Sequence, residues 1–323
     1  MGLITGCHPV SKPNDQEEVH ISIKRFDQDL FRISVYDIDD SIPVLLKKYP
    51  RFLPLFGYGI IEIGLPEQPG FNDGLVAFVT DFTIYRVSKR VQEVFPDIRW
   101  LEEILSKGFN KYKVYFPNRQ IPEIITCISG FNQSVITADS MIVISLDKYL
   151  GSGDMFYKLL HPPVPEYQRF TMIPGKIPSD ALYGWLLSEF PFNPEKDNLL
   201  SQMIYKGRAM YCVKQLLPEI NDTLLWGYTA SQLQFCLDNE KSMWEFMVEN
   251  KLLFETEKFR VNQLVNPAPF TKDFSQQSPG RTAVWIGYRI AESLAKHHTG
   301  ITLQELMEES DYQKMLQLSK YNP

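Results

Sequence analysis

Residues 121–146 read Ile121-Pro-Glu-Ile-Ile-Thr-Cys-Ile128, a turn-rich break at Gly130-Phe-Asn-Gln133, and then Ser140-Met-Ile-Val-Ile-Ser-Leu146. Both apolar runs are short and rich in β-branched residues, which fit the pleated surface of a sheet. A further strand is expected within residues 131–137, so that the strands form a hairpin or meander. We therefore predict a small, mostly antiparallel sheet.

Two amphipathic segments follow these strands and are predicted to be helices. Ser179 is a good N-cap for a helix over residues 180–190, and Asn198 starts a second helix that Pro218 stops. Other segments show helical spacing or strand-like alternation. Helices are predicted over residues 35–58, 75–94, 97–109, 229–250, 281–298 and 302–309, and strands at the start of 19–33 and over 111–116. The pattern predicts a helix-rich α+β fold with a single domain over residues 19–323.

Composition excludes several classes of protein. The chain has 323 residues, of which 44% are hydrophobic and 22% charged, and its net charge is −6 with both signs interspersed. This argues against a nucleic-acid partner, which usually requires a basic stripe. No apolar run approaches the roughly 18 residues that span a bilayer. The four cysteines form no Cys-x-x-Cys pair, so we predict no thiolate zinc site and no cofactor.

The beginning of the sequence carries a second signal. Leu3-Ile-Thr-Gly-Cys7 has the form of a lipobox, the motif in which a bacterial lipoprotein is cleaved and acylated on cysteine. Only six residues precede Cys7, so we expect either a true start further upstream or a truncated form; the alternative is a chance tetrapeptide. Residues 8–18 are polar and proline-containing, as in a flexible tether. Residues 1–18 are thus interpreted as a lipobox remnant and tether, with Cys7 as the lipidation site.

Three further segments of the chain are distinctive: Ile23-Lys-Arg-Phe-Asp-Gln-Asp-Leu-Phe31, Ile204-Tyr-Lys-Gly-Arg-Ala-Met-Tyr211 and Ser278-Pro-Gly-Arg-Thr-Ala-Val-Trp-Ile-Gly-Tyr-Arg-Ile290. They resemble the GldB gliding-motility lipoprotein family of the Bacteroidota, and the likeness spans residues 19–310. This resemblance implies a cell-envelope protein, lipid-anchored in the outer membrane and facing the periplasm. Its partners would be envelope proteins of a motility or secretion apparatus.

The same family resembles zincin-type peptidases, which carry His-Glu-x-x-His on the helix after the sheet so that two imidazoles face one zinc ion. The helix predicted over 180–190 contains no histidine, and Lys206 stands near the position where related peptidases carry a glutamate. The resemblance therefore implies a degenerate zincin-like scaffold that binds no metal and is not an enzyme. Residues that could line the remnant cleft are Asp180, Tyr183, Glu189, Lys206, Arg208 and Arg281.

The favoured function is that of a non-catalytic envelope lipoprotein acting by binding. Two alternatives remain open at this point. One is a zincin-like peptidase or another envelope hydrolase, and the other is a surface lipoprotein that binds glycans or peptides.

Overall fold

The computed structural model describes residues 18–323, and this part of the chain contains four strands and seventeen α-helices. The strands are β1 (Ile23–Arg25), β2 (Glu123–Cys127), β3 (Val135–Ala138) and β4 (Met141–Ser145). The helices are α1 (Phe26–Phe31), α2 (Ile38–Lys48), α3 (Phe52–Leu55), α4 (Phe71–Thr80), α5 (Phe82–Val94), α6 (Arg99–Tyr115), α7 (Met155–Leu159), α8 (Glu166–Arg169), α9 (Ile177–Glu189), α10 (Leu199–Leu216), α11 (Asp222–Trp226), α12 (Ala230–Asp238), α13 (Glu240–Glu249), α14 (Lys258–Val265), α15 (Thr282–His297), α16 (Leu303–Glu308) and α17 (Tyr312–Ser319). The predicted helix-rich α+β class is confirmed.

The sheet is mixed rather than mostly antiparallel, which corrects the prediction. Its strand order is β1-β2-β4-β3, with β1–β2 and β2–β4 parallel and only β3–β4 antiparallel. After β2, the chain runs past the place of β4 to form β3 at the edge. It then turns at Asp139 and Ser140, both with positive φ, and β4 fills the gap. Because β4 reverses β3, it runs parallel to β2.

The two faces of the sheet support different hydrophobic cores. Ile125, Cys127, Met141 and Val143 face a core built from α1–α4, whereas Ile124 and Ile142 belong to a larger core with α5, α6, α9, α10 and α15. Successive residues of a strand point to opposite faces, so both faces of the central strands are apolar. The cores therefore share the sheet, and the chain passes from one to the other between α4 and α5.

In the larger core, α10 and α15 cross in direct backbone contact at two glycines. A Cβ on Gly287 would overlap the carbonyl oxygen of Met203, and one on Gly207 would overlap the backbone nitrogen of Tyr288. The two backbones therefore touch without a side chain between them. This crossing brings together two of the segments quoted above, 204–211 and 278–290.

Several predicted boundaries were wrong for local reasons. Residues 111–116 belong almost entirely to α6, because their apolar residues continue the helical face that buries Phe109 and Tyr112. The segment 75–94 is broken at Asp81, whose side chain caps α5 by accepting from the Ile84 N–H. Ser179 lies inside α9 rather than at its cap. The helix predicted from residue 302 is confirmed, and it begins with a capping box between Thr302 and Glu305.

Candidate binding cleft

A cavity of about 740 Å³ opens beside α9 and the N-terminus of α15, and we call it the central cleft. Its aromatic walls include Tyr167, Phe170, Trp226 and Tyr228. Its charged groups are Lys148, Lys176, Glu166, Asp180 and Arg281. The volume lies in the range of about 300–1,000 Å³ that is typical of ligand sites.

One wall of the cleft is held by a partly buried ion pair. The Nζ of Lys176, a side chain that is only 7% exposed, donates to Asp180 Oδ1 at 2.5 Å and to Ser179 Oγ at 3.0 Å. Tyr149 Oη donates to the other carboxylate oxygen of Asp180 at 3.0 Å. Burial, followed by the charge of Asp180, raises the pKa of Tyr149 well above its usual value, so its hydroxyl remains a donor. Both carboxylate oxygens of Asp180 therefore accept hydrogen bonds from within the protein, and the ion pair holds Lys176 in its orientation.

The loop that carries Arg281 is fixed by hydrogen bonds. Thr271 donates from its backbone nitrogen and its hydroxyl to Pro279 O, at 3.0 and 2.8 Å. Tyr228 Oη donates to Gly280 O at 2.6 Å, and a Cβ on Gly280 would lie 2.5 Å from the Ala268 nitrogen. Only glycine fits between these two backbone segments. The loop therefore presents Arg281 to the cleft in one position.

Arg281 itself has a strained backbone and an incompletely paired side chain. Its φ is 62°, in the left-handed region, although it is not a glycine. Its Nε is buried and has no hydrogen-bond partner in residues 18–323. The nearest partner of the guanidinium there is the weak acceptor Met210 Sδ, at 3.9 Å from Nη2. A buried donor without a partner costs free energy of about 1–3 kcal/mol. The outer nitrogens of the guanidinium, with only a sulfur as acceptor, can still take a further acceptor.

Lys206 and Tyr183 are electrostatic neighbours of Arg281. Burial lowers the pKa of Lys206, and the positive charge of Arg281 lowers it further. Burial raises the pKa of Tyr183, and Arg281 counteracts that rise. Lys206 Nζ donates to Asn266 Oδ1 at 3.2 Å, just before the loop residues 267–269 that line the cleft. Two cations thus lie in one region, and neither forms an ion pair with a carboxylate of the described residues.

The structure separates the six residues predicted to line a remnant cleft. Asp180 and Arg281 line the central cleft, and Tyr183 and Lys206 lie near Arg281 without lining it, while Glu189 and Arg208 lie elsewhere. Glu189 Oε2 accepts from Arg119 Nη1 at 3.2 Å, at the far end of α9. Arg208 points away from the cleft, where its guanidinium donates to the Leu306 carbonyl at 3.2 Å and to the Glu309 carbonyl. Cys7 lies outside the described residues.

Sequence reasoning missed several residues that form the cleft. Lys176 was not among the predicted site residues, although its spacing of four residues from Asp180 is that of an ion pair on a helix. Trp226 is the last residue of the short helix α11 and Tyr228 lies just after it; their rings stack with centroids 5.6 Å apart, and this helix carried no motif. Their position depends on the folding of α11 against the rest of the chain, which no local pattern predicts.

Two further properties concern the described residues 18–323. They contain no group of three or more His, Cys, Asp or Glu side chains placed to hold a metal ion. No helix there is both long enough and apolar enough to cross a bilayer.

The fold and the cleft define a helix-rich α+β protein with an aromatic-walled, charged cleft beside a mixed sheet. The family model of the gliding motility protein GldB matches residues 9–323, so the chain belongs to the GldB family. Membership associates the chain with gliding motility and the cell envelope. No curated protein and no solved structure matches the chain. The zincin-like character therefore stays a prediction.

Proposed function

We propose that this protein is a non-catalytic lipoprotein of the gliding-motility apparatus, and that it holds a segment of an envelope partner in the central cleft. The match to the GldB family model supports a place in the gliding-motility apparatus. The observation that carries the binding role is the pair of cations, Arg281 and Lys206, without a carboxylate partner in the described residues.

The charge of the cleft favours binding over zinc chemistry. A zincin needs three protein ligands around the metal and a carboxylate beside the bound water. The segments of α9 and α10 that would correspond present Tyr183, Gly184 and Lys206 instead. Two neighbouring positive charges disfavour a divalent cation and favour an anionic group.

A cross-linking experiment in cells tests the binding role. A photoreactive phenylalanine analogue replaces Gln168, which lines the cleft and is exposed. The matched control carries the analogue at Gln313, an exposed residue of α17 that does not line the cleft. We expect a discrete adduct with an envelope protein from position 168 that is missing from position 313.

Equal adducts from both positions would contradict the proposal. So would purification of the protein with stoichiometric zinc and peptide cleavage that a chelator abolishes.

The proposed anchor is a lipid on Cys7, which places the protein at the outer membrane. Metabolic labelling with a palmitate analogue tests it on the full-length gene product. The three other cysteines are buried in the structure, so Cys236→Ala is a matched control that should keep the label. Cys7→Ser should lose the label, and equal labelling of both variants would refute the anchor.

A further inference from the structure

The side chain of Arg281 is the least satisfied cation at the central cleft. Its Nε is buried without an acceptor in residues 18–323, and its outer nitrogen meets only a methionine sulfur. A guanidinium presents its donors as a planar fork that matches a carboxylate with two parallel hydrogen bonds. The two outer nitrogens of this fork have no carboxylate or carbonyl acceptor among the described residues, and an incoming carboxylate would supply one to both.

The backbone around Arg281 also favours a negatively charged ligand. Arg281 precedes α15, a helix of 16 residues, and its side chain does not cap that helix. The first N–H groups of a helix have no acceptor within it, and the dipole makes this end favourable for an anion. A non-glycine residue with positive φ costs about 1–3 kcal/mol and persists where the surrounding structure imposes it. Here the Thr271 and Tyr228 hydrogen bonds impose it.

Lys206 and Tyr183 complete the surroundings of this position. Lys206 adds a second positive charge that Arg281 feels, and Tyr183 keeps its proton because burial raises its pKa. Both side chains are half-buried, so their interaction with an anion is screened less than at the surface. Glu166, the exposed acidic group of the cleft, disfavours a ligand with several negative charges. A single carboxylate suits this balance better than a phosphate.

The rest of the cleft has the size and surface for the residues next to that carboxylate. Trp226, Tyr228 and Phe170 provide apolar walls, and Pro267, Pro269 and Pro279 line the loops around them. A cavity of about 740 Å³ accommodates more than an isolated carboxylate. An extended peptide segment that carries one carboxylate is therefore the ligand class that fits both the cation at Arg281 and the apolar walls of the cleft.

We propose that the central cleft recognises a carboxylate of a peptide segment, with Arg281 as its bidentate donor and Lys206 as a second cation. This proposal rests on the proposed binding function and specifies the chemical group that the partner presents. The carboxylate comes either from a chain terminus or from an Asp or Glu side chain. The experiment below separates these two sources.

The probes are three pools of random octapeptides, each of which is passed over the immobilised protein. One pool has free C-terminal carboxylates, a second has C-terminal carboxamides, and a third has carboxamides and lacks Asp and Glu. Retained peptides are quantified by mass spectrometry for the wild-type protein, Arg281→Gln, Arg281→Lys and Lys206→Gln. The matched control is Arg99→Gln, which removes an exposed arginine outside the cleft.

We expect the third pool to be retained at least tenfold less than the first. Arg281→Gln should bind the first pool at least tenfold less than the wild type, Arg281→Lys and Lys206→Gln should lie between, and Arg99→Gln should be unchanged. A second pool that binds like the first would assign recognition to acidic side chains, and one that binds like the third would assign it to the terminus. Circular dichroism of each variant establishes that it is folded, and Lys206→Gln provides the test if Arg281→Gln is not.

Equal retention of the first and third pools would overturn the carboxylate proposal, and so would absence of retention in every pool. Either result can coexist with a cleft-specific adduct from position 168 in cells, and then only the carboxylate proposal fails. If that adduct is absent while the first pool is retained selectively, the proposed cellular role fails and the carboxylate site remains.

Discussion

At the scale of single residues, Arg281 is a candidate binding residue whose backbone adopts a conformation that arginine disfavours. The left-handed conformation brings Cβ close to the following carbonyl oxygen, which glycine avoids because it has no Cβ. The cost of this conformation can be separated from the loss of the guanidinium by comparing two truncations at the same position.

Arg281→Gly should be more stable than Arg281→Ala by about 1 kcal/mol, because both lose the side chain but only alanine keeps the strain at φ 62°. The free energy of unfolding in urea measures the difference. The matched pair is Lys107→Gly and Lys107→Ala, at an exposed position inside α6. There the order should reverse, since alanine is favoured over glycine in a helix by about 1 kcal/mol. An alanine variant at 281 as stable as the glycine variant would show that the conformation is not strained.

The residue scale also explains how much of the site was predictable. Asp180 and Tyr183 are three residues apart, so they share one side of α9. Glu189 is nine residues after Asp180, which is about 13 Å along the helix, too far for one small site. Arg208 follows Lys206 by two residues, a rotation of about 200°, so it points to the opposite side of α10. Helical geometry alone could have removed Glu189 and Arg208 from the predicted set, whereas the approach of Arg281 from α15 required the tertiary structure.

At the scale of elements, the crossing of α10 and α15 depends on the absence of two side chains. Gly287→Ala should destabilise the protein by about 3 kcal/mol or prevent folding, because its methyl group would overlap the Met203 carbonyl. A matched control is Gly153→Ala, since nothing lies within 4 Å of a Cβ there. Thermal unfolding should place the control within about 0.5 kcal/mol of the wild type. A stable Gly287→Ala protein would mean that the helices can move apart.

Arg208 makes a second prediction at this scale, because it joins α10 to the C-terminal helices. Its side chain is 3% exposed, donates to carbonyls of residues 306 and 309, and lies over the Tyr312 ring at 5.3 Å. Arg208→Met should cost about 3 kcal/mol, since hydrogen bonds to a buried charge are lost. Hydrogen exchange should rise most in α16 and α17. Lys320→Met, at an exposed position after α17, is the control, and uniform exchange in both variants would contradict this role.

The sheet shows which element-level features the sequence could not specify. The runs at 121–128 and 140–146 correctly predicted β2 and β4 because β-branched residues dominate them. The antiparallel arrangement was wrong because strands adjacent in sequence were assumed to pair, whereas β4 lies between β2 and β3. One signal was present in the sequence, the continuous apolar run of residues 141–144, and the structure buries every position of β4. A continuous apolar run without alternation is typical of parallel strands covered on both faces.

At the scale of the whole molecule, two cores depend on one sheet. Phe26 lies at the centre of the smaller core, with ring centroids 4.8–5.1 Å from those of Phe56, Phe52 and Tyr49. All five tryptophans belong to the larger core on the other face. Tryptophan fluorescence therefore reports on one core, whereas far-ultraviolet circular dichroism reports on both. This separation allows a test of whether residues 19–323 unfold as one domain.

Phe26→Ala should lower the free energy of unfolding by about 3–5 kcal/mol, as removal of a buried aromatic ring does. The tryptophan transition should shift with the circular dichroism transition, because loss of the smaller core exposes the shared sheet. Phe259→Ala is the control, since that ring is 70% exposed. An unchanged fluorescence midpoint in Phe26→Ala, with an earlier separate phase in circular dichroism, would show that the two cores unfold independently.

The contact of Gly207 with Gly287 has a kinetic consequence for any ligand of the central cleft. Backbones in direct contact cannot slide past each other as helices separated by flexible side chains do, so Lys206 and Arg281 keep a constant separation. Binding then requires no slow opening step, and each productive encounter leads directly to the complex. We expect single-exponential association in stopped flow, with an observed rate that rises linearly with ligand concentration and a rate constant of about 10⁵–10⁷ M⁻¹s⁻¹.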